Sequence, residues 1–418
     1  MHFQLPNRLY SLPQSWIWLC LLHCMVCPRG LAIAQQWDDT VLPVSLTVGY
    51  AVRLVDLNGD NRLDIALVDS KRVLWLENPT WQTHVIWETP TATADNVCFA
   101  PHDIDGDGDI DFAVGYDWQP NNTKTGGAIG WLEAPADPRS IWTHHPLTND
   151  EPTTHRMNWA DIDGDRKKEL IVAPLKGRNA NAPGWDDQGV RLSRWDISSN
   201  PKAVWSNSTI ESSLPVMHNF QVLDFDRDGR DDLLLASFEG VHLWSQKGNS
   251  AEKSLQRVGS GHEGKAPEKG SSEIRLGSIG SQRRFIATVE PWHGNEIVVY
   301  EEPESEPESN ATTTGKVSLW PRQVIDAELK WGHAVACANL DTDDTDELVI
   351  GVRDESLPHR CGVRIYDRQS DGKWQRSLIH PGQVAVEDLT VGDLDGDGQN
   401  EIIAVGRATK NAVIYRKK

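Results

Sequence analysis

The chain has 418 residues, 39% of them hydrophobic, so it can bury a sizeable core. Its formal net charge of -20 excludes a nucleic-acid binder, because phosphate contacts need clustered Lys and Arg. Trp is over-used, with 18 copies against 7 Phe and 6 Tyr, and a residue used that often marks a repeat.

Residues 1–34 read as a secretory signal. Arg8 gives a positive start, an apolar stretch runs from Trp16 to Val26, and Ala32, Ile33 and Ala34 form an A-x-A cleavage pattern before Gln35. The apolar stretch falls short of the ~20 residues a spanning helix needs. The expected product is a monomer, secreted, periplasmic or at the cell surface, with no transmembrane anchor after cleavage. Cys20, Cys24 and Cys27 would leave with the signal. Cys98, Cys337 and Cys361 remain, so at least one thiol is free and no disulfide framework holds the fold.

From Gln35 onward an acidic loop recurs. It reads Asp56, Asn58, Asp60 and Asp64, then Asp103, Asp105, Asp107 and Asp111, then Asp161, Asp163, Asp165 and Glu169. It continues as Asp224, Asp226, Asp228 and Asp232, then Asn339, Asp341, Asp343 and Glu347, and last Asp393, Asp395, Asp397 and Glu401. In all six the closing carboxylate lies eight positions after the first ligand, and an apolar run follows that reads as a buried strand.

A later strand in each unit ends in an aromatic: Trp75, Trp131, Trp195, Trp244, Tyr300, Tyr366 and Tyr415. A further strand carries Trp with Ile or Leu five residues on, as in Trp81/Ile86, Trp142/Leu147, Trp205/Ile210, Trp320/Ile325 and Trp374/Ile379. Seven units of four strands result, the fifth with a decayed acidic loop near Leu276 to Arg284. The last unit lacks its Trp strand, and Trp37 with Leu42 supplies one at the other end. The expected fold is all-β: a single seven-bladed β-propeller over residues 35–418, with four-stranded blades and an N-terminal strand closing the C-terminal blade. Closure removes a free sheet edge. Lys247 to Ser272 and Glu301 to Lys316, polar and rich in Gly, Ser, Pro and Glu, read as mobile loops.

Alternating carboxylates in a tight loop gather oxygens around one point. Calcium takes 6–8 oxygens, and side chains at positions one, three, five and nine with a carbonyl at seven suit it. About six structural calcium sites are therefore expected. The Asn339 loop departs most, with Asp344 where Gly would help. These units resemble the FG-GAP/VCBS repeat family of calcium-binding propellers, a resemblance that covers the chain from Gln35 to Lys418. The strands Trp75 to Pro79 and Trp131 to Pro135, with the W-x-x-x-x-I strands, resemble more loosely the propeller part of aldos-2-ulose dehydratase and propeller-type polysaccharide lyases.

Six residues before each acidic loop stand Tyr50, Val97, His155, His218, His333 and Glu387, which should start the inner strands as a polar ring at a solvated channel mouth. Loops at the same end should add Asp117, Trp118, Lys176, Arg178, Glu239, Trp292, His293, Asn295, Arg353, His359 and Arg407. His155, His218, His293, His333, Tyr50, Arg178 and Arg353 are the candidate catalytic residues. Arg pairs with a carboxylate, Trp stacks on a ring, and His or Tyr moves a proton, the equipment of a sugar-acid site. The converging histidines could instead hold a transition metal such as zinc. Three functions stay open: a lyase or dehydratase acting on sugar acids or ketosugars, a noncatalytic glycan- or protein-binding module, and a calcium-dependent scaffold.

Overall fold

The structure is a computed structural model that describes residues 37–90, 95–246, 253–304, 319–354, 356 and 360–418. The expected signal segment, Gln35 and His359 lie outside them. Seven four-stranded antiparallel sheets form a β-propeller, each running from an inner strand to an outer one. The seven inner strands are Gly49–Val55, Cys98–His102, Thr154–Ala160, Met217–Leu223, Ile274–Ile279, Gly332–Ala338 and Val386–Gly392. Among the described residues no helix is long and apolar enough to cross a membrane.

The apolar runs after the acidic loops become second strands buried on both faces, as in Asp64–Asp69 and Glu401–Gly406. The repeating aromatics Trp75, Trp131, Trp195, Trp244, Tyr300, Tyr366 and Tyr415 are buried on the third strands. They knit neighbouring blades: Trp75 shares a cluster with Phe99, Phe112 and Trp142 of the next blade. The core is thus a ring of inter-blade seams, and a blade alone would leave both faces bare.

The ring closes as expected. Trp37–Val41 pairs antiparallel with Ala412–Lys417, Trp37 opposite Lys417 and Val41 opposite Val413. Leu42 and Leu46 then pack in one cluster with Ile65 of the first blade and Ile403 of the last. The fifth blade keeps four strands without an acidic loop: a short turn with Gly280 at φ +60° joins Ile274–Ile279 to Arg283–Glu290.

One expectation fails. Lys247 to Ser272 is not simply a loop. Lys253–Gly259 is the outer strand of the fourth blade, buried through Val258, and His262–Lys265 with Glu268–Gly270 forms a separate hairpin. This outer strand lacks the Trp that marks its counterparts, and its polar residues face solvent. Of the second suspected loop, residues 305–318 lie outside the described residues. Among the described residues Cys98, Cys337 and Cys361 form no disulfide.

Candidate functional site

The acidic loops leave the lower ends of the inner strands. Their turns need left-handed backbone, supplied by Gly59, Gly106, Gly164 and Gly396 at position four, and by Arg227 at φ +63° in the fourth blade. The first carboxylate of the loop folds back on its own backbone: Asp103 Oδ1 accepts from Gly106 N at 2.8 Å. The closing carboxylates Asp64, Asp111, Glu169, Asp232, Glu347 and Glu401 are buried. Each accepts from the backbone N–H at loop position two, as Asp64 does from Leu57 at 3.0 Å and Glu401 from Leu394 at 2.7 Å. Burial, reinforced by neighbouring loop carboxylates, pushes Asp64 up to about 6 and Asp111, Asp232 and Glu347 up to about 7. Sets such as Asp103/Asp105/Asp111 and Asp341/Asp343/Glu347 place one oxygen each within 4.8 Å of the others. Oxygens that close can ligate one cation together, and all-oxygen donors are the kind calcium takes. In the third blade Arg194 enters the loop, its Nη1 3.0 Å from Asp163 Oδ2 and its Nη2 3.3 Å from Glu169 Oε1.

The upper ends of the inner strands carry the second site. In five blades the ladder slips by one residue there, between Gly49 and Ala51, Thr154 and Arg156, Met217 and Asn219, Gly332 and Ala334, and Val386 and Asp388. The skipped residues are Tyr50, His155, His218, His333 and Glu387. A bulge frees one residue from the ladder and re-aims its side chain, here inward. The second and fifth blades carry no slip, and the second has apolar Val97 at that level.

Tyr50, His155, His218, His333 and Glu387 line one cavity of about 100 Å³ together with His293, Arg156, Arg353, Arg407 and Trp118. The four histidines touch: ring centroids lie 4.8 Å apart for His155–His218, 4.6 Å for His218–His293 and 4.9 Å for His293–His333. His293, from the loop after the second strand of the fifth blade, has φ +50° and stacks on Trp292.

Hydrogen bonds fix the imidazoles. His155 Nδ1 donates to the His218 carbonyl at 3.0 Å and His333 Nδ1 to the Glu387 carbonyl at 2.7 Å, leaving both Nε2 atoms with a lone pair. His293 Nε2 lies 2.7 Å from His218 Nε2, and Arg353 donates to His293 Nδ1 at 3.4 Å. His293 therefore donates to His218, whose Nδ1 faces Glu273 Oε1 at 2.7 Å, off the line of a straight hydrogen bond. Burial, with the charges of Arg156 or Arg353 nearby, holds all four histidines well below the usual imidazole range. They are neutral. Arg353 and Arg407 clamp Glu387 at 3.0 and 2.8 Å. Burial, then Asp95, whose carboxylate accepts from the phenol at 3.4 Å, raises Tyr50 to about 12.

The solvated ring expected from the sequence is instead a buried layer: His155, His218 and His333 are 4, 1 and 4% exposed. Arg178 does not join it. Its guanidinium lies on the surface, 3.0 Å from Asp150 Oδ1. Asp117, Lys176, Glu239 and Asn295 do not line the cavity either, and Lys176 donates instead to the Pro120 carbonyl and Asn121 Oδ1. Glu273, Arg156 and Asp95 escaped the sequence reading. Glu273 belongs to the blade without an acidic loop, which removed the ruler that located the others. Arg156 stands one residue beyond the column.

Comparison with known proteins agrees with this geometry. Residues 126–303 match the family model for the β-propeller domain of aldos-2-ulose dehydratase, and residues 56–114 that for the FG-GAP-like repeat. Aldos-2-ulose dehydratase of Phanerodontia chrysosporium is 25% identical over 279 residues, which cover 62% of this chain. The match spans only 30% of that protein's length. Among solved structures, a chain of BBS1N in complex with ARL6DN superposes with a TM-score of 0.52 at 14% identity, covering 92% of this chain and 98% of that one, a likeness of fold alone. The chain is a β-propeller with an FG-GAP-like repeat, related to the propeller domain of aldos-2-ulose dehydratase.

Proposed function

We propose that this chain is an exported, calcium-stabilised propeller whose histidine layer and the basin above it bind a carbohydrate, with a sugar acid or ketosugar as the ligand class. The observation that carries the reading is the convergence of four neutral histidines, three arginines and Tyr50 on one cavity at the bulged ends of the inner strands. The relation to the propeller domain of a sugar dehydratase supports the carbohydrate direction.

Size argues for a two-part site. At ~30 Å³ per water the inner cavity takes about three waters, too few for a sugar ring. Arg353 and Arg407 also wall an outer basin of about 490 Å³ beside the exposed ring of Trp331. A ring stacked there would send one polar group between the arginines toward His293. Should the protein be catalytic, the Nε2 lone pair of His333 suits removal of a proton beside a carbonyl, the opening step of a dehydration or lyase reaction, whereas that of His155 accepts from Arg156 Nη1 at 3.1 Å. Calorimetry of the calcium-loaded protein against ketosugars and uronic acids tests the reading. Saturable binding of one class, lost in Arg353→Met, is expected. Absence of binding across both classes would overturn it and leave a scaffold.

A second reading rests on His218, His293 and His333, which offer nitrogens within 4.8 Å of one another. All three are neutral, and His333 has its Nδ1 tied to the Glu387 carbonyl, the form in which histidine presents Nε2 to a transition metal. Elemental analysis would then find one zinc-like ion per chain, missing in His293→Ala.

A further inference from the structure

The inner strands change character halfway down. Gly49–Val55, Met217–Leu223 and Gly332–Ala338 are buried for four residues and partly open for the last three. The histidine layer therefore plugs the channel, and beneath it lies a chamber of about 250 Å³. Three arginines line that chamber, Arg53, Arg156 and Arg275 on the first, third and fifth blades, alongside Asn158, Asn219 and Thr390, and among the described residues no carboxylate lines it. In a chain of net charge -20 this is a local inversion of sign.

The arginines are only partly neutralised. Arg53 Nη1 lies 3.0 Å from Asp388 Oδ2, and Arg156 Nη2 stands 3.6 Å from Glu273 Oε1. Arg275 has no carboxylate within ion-pair distance among the described residues, and its Nη1 donates to the Ile274 carbonyl at 2.6 Å. Burial lowers the Arg275 pKa, against the opposing pull of the more distant Glu273 and Asp388 carboxylates, and Arg53 adds repulsion. Clustered cations in a confined, partly desolvated space repel one another unless an anion joins them. Planar forks converging from three blades match the oxygens of a carboxylate, sulfate or phosphate better than a spherical ion. At ~30 Å³ per water the chamber is roomy enough for such a group with several waters.

We propose that the channel beneath the histidine layer is an oxyanion-binding chamber, with Arg53, Arg156 and Arg275 as its anchors. Arg156 lines both compartments, so the chamber and the histidine cavity share a wall. The oxyanion comes either from solution as a free inorganic ion or as the carboxylate of an organic acid.

Sodium sulfate titrated calorimetrically into the calcium-loaded full chain, with ionic strength held by sodium chloride, is the test. One saturable site is expected. Arg275→Met and Arg53→Met should each weaken it at least tenfold, while Arg139→Met, which removes a surface partner of Glu77, leaves it unchanged. Melting curves of each variant report whether it folds, and a selenate soak of wild-type crystals gives a variant-free check through an anomalous peak in the chamber. Competition by glucuronate assigns the site to an organic carboxylate, and sulfate binding without competition assigns it to a free ion; both support an oxyanion site. An empty chamber in the selenate crystals, or equal sulfate affinity in wild type and both channel variants, overturns the proposal.

Discussion

Removing residues 37–46 should undo the ring. Trp37 is 7% exposed, Leu42 2% and Leu46 3%. Truncating a buried Trp to Ala costs about 3–5 kcal/mol and a buried Leu about 2–5. Even allowing for non-additivity, losing all three approaches the 5–15 kcal/mol that holds a whole domain. The deletion also removes the backbone bonds from Leu42 N to Ala412 O and from Leu46 N to Lys410 O, both 2.9 Å. It bares the edge of Ala412–Lys417, an unpaired strand with buried Val413 and Tyr415 at its start and middle, and bare edges template aggregation. Urea denaturation should show Trp37→Ala less stable by about 3–5 kcal/mol, and size-exclusion chromatography should show the deletion aggregated. A monomeric deletion variant with the wild-type midpoint would refute the account of closure.

Three further outcomes follow from the same coordinates. Excess chelator should lower the melting temperature sharply and reversibly, since each site at one hundred times its Kd adds about 2.7 kcal/mol; an unchanged melting curve would remove calcium from the account. With calcium saturating, stability should fall steeply as pH drops below about 6.5. His102, His144, His155, His218, His242, His293 and His333 all have folded pKa values depressed chiefly by burial, His144 and His242 to about 4. The unfolded chain then takes up the extra protons, at about 1.4 kcal/mol per pH unit for each buried histidine, and a flat melting temperature from pH 7 to 5 would contradict this. His218→Ala should cost about 1–3 kcal/mol by leaving the buried His293 Nε2–H without its acceptor, whereas Arg178→Ala, at the surface, should change neither stability nor ligand binding; equal effects in the two variants would show the histidine layer to be no more than surface.

The fold was legible because most units repeat the same punctuation. The constant interval from Asp56 to Asp64 or from Asp393 to Asp397 and Glu401 sets the turn, and Trp75 or Tyr415 marks the third strand. Lys253–Gly259 has no Trp, and there the reading failed: its ladder with Gly240–Gln246 and its packing through Val258 against the next blade make it a strand. The burial of the histidines was not legible either. Spacing located His155, His218 and His333 at strand starts, but depth depends on what covers them. The covering groups are Trp118, Trp292, Arg353 and Arg407, which come from loops without fixed spacing, the two arginines gripping Glu387 of the column.

The bulge explains why the column is polar at all. In a regular inner strand each side chain takes its place in the ladder's alternation, as Cys98 and Phe99 do in the second blade, buried in different inter-blade clusters. Slipping the ladder by one residue at Tyr50, His155, His218, His333 and Glu387 releases those side chains from the alternation while the next residue resumes it. A polar group is then tolerated without polar residues entering the inter-blade seams. The same slip sets what lies below: Arg156 and Asn158, after His155, and Asn219, after His218, face the channel rather than the seam. A residue change at the bulge alters the ligand layer alone, whereas a change in the register of the slip would exchange channel and seam for the rest of the strand. That separation lets one ring carry acidic loops at one end of its inner strands and a cluster of neutral histidines at the other.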